Sequence, residues 1–153
     1  MSGRSNRSSI AQAVVAIAAF IITAPPVDAI LFLCLYAGAK GLIIREWNMP
    51  LLGEVLESLP DIYTLAGGAA LLAGILVALR ARSGATTGFI ISTGFFIGLA
   101  NAVLLITLGP DFGQREIPVV VLVACHAFAF AVTALVSAWI ARLLSSRLVG
   151  ASS

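Results

Sequence analysis

The chain has 153 residues, 60% of them hydrophobic and only 10% charged, against about 25% charged in a typical soluble domain. Nine Lys and Arg stand against seven Asp and Glu, with one histidine and two cysteines. So few scattered basic groups make no nucleic-acid surface, and a single histidine makes no multi-histidine haem or zinc centre.

Four long apolar segments dominate what remains, and each approaches the length of about 20 residues that a helix needs to cross about 30 Å of hydrocarbon. The runs are continuous rather than alternating, which argues against an outer-membrane barrel. The expected fold is therefore all-α and polytopic. A single integral membrane domain covers residues 1–153, with spans at approximately 14–36, 62–80, 87–108 and 117–140.

The first segment carries Pro25, Pro26 and Asp28 in its middle. Proline lacks the N–H that bonds four residues back, so Pro25 releases the carbonyl of Ile21 and Pro26 that of Ile22. A kinked or interrupted helix is expected, with the freed carbonyls met by neighbours, hydroxyls or water. A turn at the prolines would leave a first limb, about Ile10 to Ala24, only about 22 Å long at 1.5 Å per residue. One crossing fits better, and five segments is the alternative. Arg4, Arg7 and the small residues around Asp28 imitate a signal peptide, but the apolar run resumes after Ala29. Asp28 has three readings: a cap on the restarted helix, a partner in proton or substrate chemistry, or a residue of the outer interface.

Between the first and second segments, Pro50 suits a first helical position. Leu51, Leu52, Val55, Leu56 and Leu59 then share one face, giving a short extracytoplasmic amphipathic helix. Trp47, like Trp139 further on, suits a membrane interface. In the second segment Ala66, Ala70, Gly74 and Ala78 recur every four residues, and the third carries Gly94, Gly98 and Ala102. Such stripes let helix backbones approach closely in lipid. Ala70, Gly74, Gly94 and Gly98 are the expected packing positions, with tight contact between the second and third helices. The fourth segment places His126, Thr133 and Ser137 along one face, where the hydroxyls are expected to bond back to their own helix.

With the N-terminus inside, Arg4, Arg7, Arg80, Arg82, Arg142 and Arg147 are cytoplasmic, and Lys40, Arg45 and Arg115 lie outside. The bias follows the positive-inside rule. Both termini are expected in the cytoplasm, and the membrane is a cell inner membrane or plasma membrane. In this arrangement Asp28, Asn101 and His126 fall roughly 10–14 Å below the outer boundary at 1.5 Å per residue. They form a possible polar layer drawn from three helices. Structural locking of the bundle is the preferred use of that layer over a proton or ligand role.

No Cys-x-x-Cys, phosphate loop or dinucleotide fingerprint accompanies these residues. No catalytic residue, cofactor or metal is assigned. The expected function is a small accessory or structural membrane subunit without intrinsic catalysis. Its expected partners are the lipid bilayer and a larger complex or homo-oligomer, not nucleic acid. The alternative is an oligomeric transporter or channel component that uses the Asp28–Asn101–His126 layer. An enzyme comes third, because no nucleophile accompanies the one buried acid and the one histidine.

Overall fold

A computed structural model describes residues 3–45, 59–81, 85–108 and 118–150, all of them in helices or the short segments that flank them. The helices are α1 (Gly3–Ile44), α2 (Leu59–Ala81), α3 (Thr87–Leu108) and α4 (Val119–Gly150). Three stretches are long and apolar enough to cross a membrane, namely Ile10–Ile43, Thr87–Thr107 and Val119–Arg147. In α2 the apolar part is shorter, Ala66–Arg80. The expected amphipathic helix around Pro50 and Leu51 lies outside the described residues, as do Arg82 and Arg115.

Local chemistry accounts for several of the helix ends. α1 stops where Arg45 takes a left-handed backbone, φ 58°, which breaks the helical hydrogen-bond ladder. Thr86 caps α3: its Oγ1 accepts from the Phe89 N–H at 3.3 Å, and its carbonyl accepts from Ile90 N at 3.2 Å. The N-cap hydroxyl thus meets one of the donors left unpaired in a first turn. Pro118 precedes α4 and offers its carbonyl to Val121 and Leu122. Across Pro25 and Pro26 the helix α1 is unbroken as an element.

The contacts define an up-down-up-down ring. Tyr63 of α2 meets Ile22 of α1, while Gly74 meets Ile17 and Phe20, so these two helices run antiparallel. On α3 and α4, Gly94 faces Ala131 and Ala134, and Gly98 faces Ala127 and Phe130, again antiparallel. Thr23 pairs with Ser137 and Asp28 approaches His126, which sets α1 antiparallel to α4. α4 packs extensively on both α3 and α1, and α1 on α2, whereas α2 and α3 share the least extensive contact between neighbours in the ring. The glycine stripes therefore serve other pairings than the one expected: Gly74 closes on α1, and Gly94 and Gly98 close on α4.

What is buried is mostly small or polar. Phe20 and Phe130 are the largest fully buried side chains. They share one core with Ala73, Val77, Ile90, Ala134 and Ala138. Ala70 of α2 is likewise fully buried. Large apolar side chains point outward instead: Leu42 is 79% exposed, Val120 73%, Leu79 67% and Phe96 66%. In water such a surface would be an aggregation hazard. In hydrocarbon it is the ordinary solvent-facing side of a helix bundle, where close packing is made by small residues.

Candidate functional site

Glycine is what brings α3 and α4 close enough to share a polar contact. A methyl group added at Gly98 would lie 2.6 Å from the Phe130 Cβ and 3.3 Å from the His126 carbonyl oxygen. The backbones are thus in near contact at that level. Asn101 follows Gly98 by three residues and shares its face. From there Asn101 Nδ2 reaches His126 Nε2 at 3.0 Å. On the other side of the ring, His126 Nδ1 stands 3.7 Å from Asp28 Oδ2. That separation is an electrostatic contact, too long for a hydrogen bond.

Asp28, Asn101 and His126 therefore meet at one junction of α1, α3 and α4, with His126 in the middle. Their exposures are 3%, 8% and 7%, so water does not shield the three groups from one another. The imidazole is also held by two aromatic rings. Phe32, one turn beyond Asp28 on α1, meets it edge-on at 5.4 Å between centroids. Phe130, one turn beyond His126 on α4, lies at 6.3 Å. Between these rings His126 turns one nitrogen toward Asn101 and the other toward Asp28.

As the amide stands, Asn101 donates an N–H to the Nε2 lone pair. A neutral imidazole carries one proton, so its own N–H is then on Nδ1 and faces Asp28. The other carboxyl oxygen, Oδ1, is buried and has no hydrogen-bond partner. Oxygen atoms left in that condition are uncommon in folded proteins. Such an oxygen suits a site that carries a proton in one of its states.

A second polar contact lies further along α1 and α4. The Thr23 hydroxyl donates to the Ala19 carbonyl at 2.6 Å, which uses its hydrogen, and it therefore accepts from Ser137 Oγ at 2.8 Å. Ser137 thus bridges to α1 and not back to its own helix, contrary to expectation. Thr133, fully buried between the levels of Ser137 and His126, has no partner for its hydroxyl.

Sequence reasoning missed Tyr63. Its hydroxyl donates to the Ile22 carbonyl at 2.7 Å, the oxygen that Pro26 deprives of its helical donor. Pro25 itself is fully buried, and Ile22 is 64% exposed, so the repair is made on the outer side of the bundle. A tyrosine near the start of α2 was the only available signal, and it does not name its target. Phe32 was also missed, because an aromatic residue in an apolar run has no distinguishing pattern.

Neither cysteine joins the junction: Cys34 is exposed and Cys125 half-buried, both as free thiols. Among the described residues no group of three or more His, Cys, Asp and Glu gathers in the manner of metal ligands. The chain matches no protein-family model, no curated protein and no solved structure. Function must accordingly be argued from the geometry.

Proposed function

We propose that the protein is a four-span integral membrane protein that acts as a non-catalytic accessory or structural subunit of a larger membrane assembly. The observation that carries this reading is the distribution of burial. Alanine, glycine and hydroxyl residues fill the helix contacts, while Leu42, Leu79, Phe96, Val120 and Phe128 face outward. An apolar exterior of that extent suits lipid and neighbouring transmembrane helices.

Four crossings are supported by connectivity even though the apolar part of α2 is short. α1 and α3 are both antiparallel to α4, so they run in the same direction. Arg142 of α4 donates to the Ala85 carbonyl at 3.2 Å, which puts the start of α3 at the Arg142 end of the ring. α1 finishes at the opposite end, and the chain must return across the bundle before α3 begins. With 23 residues, α2 is about 34 Å long at 1.5 Å per residue, sufficient for that return. The basic residues of the Arg142 end then favour the cytoplasm for both termini. The proline pair bends α1 in this reading, and the Tyr63–Ile22 bond supports it by occupying a carbonyl that a regular helix would have satisfied.

The junction of Asp28, Asn101 and His126 serves first to hold three helices in register, since a buried polar contact penalises every arrangement that separates its members. A second reading, a transporter or channel component that responds to protons or substrate, is favoured by the unpartnered Asp28 Oδ1. Purification from the native membrane in mild detergent separates the two. A subunit co-migrates with larger partners and shows no flux of its own in reconstituted vesicles. Flux that is abolished by Asp28→Asn, with assembly preserved, establishes the second reading and displaces the first.

A further inference from the structure

We propose that Asp28 and His126 together hold one proton at the junction of α1, α3 and α4, and that the orientation of the Asn101 amide follows the protonation of His126 Nε2. The inference goes beyond the subunit reading. It rests on the bundle geometry alone and holds whether the protein is a subunit or a transport component.

Besides a neutral His126 protonated on Nε2, which meets an amide oxygen while Nδ1 accepts from a protonated Asp28, the donors and acceptors allow two arrangements with one proton shared. In the first, the proton is on Asp28 Oδ1, the oxygen without a partner. His126 is neutral, its Nδ1–H points toward Oδ2 at 3.7 Å, and Nε2 accepts from Asn101 Nδ2 at 3.0 Å. In the second, one O–H bond is lost at Asp28 and one N–H bond is gained at Nε2. His126 is then an imidazolium opposite a carboxylate. Proton count and net charge are unchanged, so neither arrangement leaves an uncompensated charge in a low-dielectric interior.

The two differ at Asn101. A protonated Nε2 has no lone pair and must donate, so the amide has to turn over and present its oxygen. The amide as it stands, nitrogen toward Nε2, belongs to the first arrangement. A change of protonation at Nε2 on α4 is therefore felt on α3, through a side chain that never ionises. Among the described residues no other Asp, Glu, His, Lys or Arg is buried: α3 contributes Asn101, and the described buried face of α2 consists of Ala66, Ala70, Ala73, Gly74, Val77 and Ala78.

The chain contains one histidine, so ¹⁵N-histidine labelling gives an unambiguous spectrum from the full-length protein in lipid vesicles. Infrared spectroscopy of the same samples reads a protonated carboxyl band, identified as Asp28 by its loss in Asp28→Asn. The expected wild-type result at neutral pH is that carboxyl band together with one protonated and one lone-pair nitrogen, the lone pair on Nε2. In Asn101→Leu the lone pair loses its donor, and the preference for Nδ1–H is lost. Asn101→Ser serves as the smaller change if the leucine variant fails to assemble. A neutral histidine without a carboxyl band, or an imidazolium with one, means zero or two protons and overturns the proposal. So does a histidine spectrum that is indifferent to both Asn101 substitutions. Loss of co-migrating partners leaves these spectra unaffected, so failure of the subunit reading is read separately.

Discussion

Pro26 creates the requirement that Tyr63 meets, and that link can be measured. Proline removes the donor that the Ile22 carbonyl would find in a regular helix, and the Tyr63 hydroxyl supplies one from α2 at 2.7 Å. Hydrogen bonds between membrane helices average about 0.6 kcal/mol and reach about 1.7. Tyr63→Phe is expected to destabilise the bundle by about 0.5–1.5 kcal/mol, read by reversible unfolding in detergent. In a Pro26→Ala background the helix regains its own donor, and the same Tyr63→Phe change is expected to have nearly no effect. Equal costs in the two backgrounds would show that the hydroxyl acts on something other than the proline-released carbonyl. Ser137→Ala offers a contrast at a buried position. It deletes the donor to Thr23 and is expected to lower stability by a similar amount, independently of either proline.

Among the helices, the small-residue stripes show what sequence can convey and what it leaves open. A period of four identifies one face of a helix, and Gly74, Gly94 and Gly98 all lie on buried faces. It carries no information on which neighbour covers that face, and the expected α2–α3 seam proved to be the least extensive contact in the ring. The polar junction was legible for a different reason: helices rise uniformly, so Asp28, Asn101 and His126 could be put at one depth by counting residues. Their meeting also depends on rotation about each helix axis, which counting does not supply. Tyr63, Phe32 and the Thr23–Ser137 pair escaped for that reason. Substitution at the glycines tests the observed seams. Gly94→Ala drives a methyl to within 2.7 Å of the Ala134 Cβ and 2.9 Å of the Ala131 Cα, where backbone must move. It is expected to cost about 1–3 kcal/mol. Gly74→Ala meets Phe20 and Ile17 at 3.0 and 3.2 Å and is expected to cost less. Gly68, with nothing within 4 Å, should tolerate alanine or gain slightly from its helix propensity. Thermal unfolding in one detergent ranks the three, and a Gly68 variant as damaged as Gly94→Ala would contradict the packing.

Over the whole molecule, the proposed orientation rests on the charges carried at the two ends of the ring. Arg80 lies near the end of α2, with its guanidinium 5.7 Å from the Phe89 ring centroid at the start of α3. Arg142 reaches the Ala85 carbonyl at the same end. Arg4 and Arg7 belong to the first turns of α1, which begins there too. Lys40 and Arg45 mark the other end. In the proposed orientation, which follows the positive-inside bias, the arginine-rich end is cytoplasmic and the Asp28–Asn101–His126 junction lies in the outer half of the bundle. Impermeant thiol labelling of intact cells tests this directly. Cys34 and Cys125, the two native cysteines, are first replaced by alanine so that neither contributes signal. Glu57→Cys is then expected to react in intact cells, and Arg82→Cys only after the membrane is opened. The reverse pattern would turn the bundle over and put the junction in the cytoplasmic half. Labelling of both sites in intact cells would mean that the chain does not recross between them, which is incompatible with an α2 that returns from the end of α1 to the start of α3. Because the three junction residues sit on helices that all cross the bundle, one such experiment decides which aqueous compartment lies nearer to the Asp28 carboxyl.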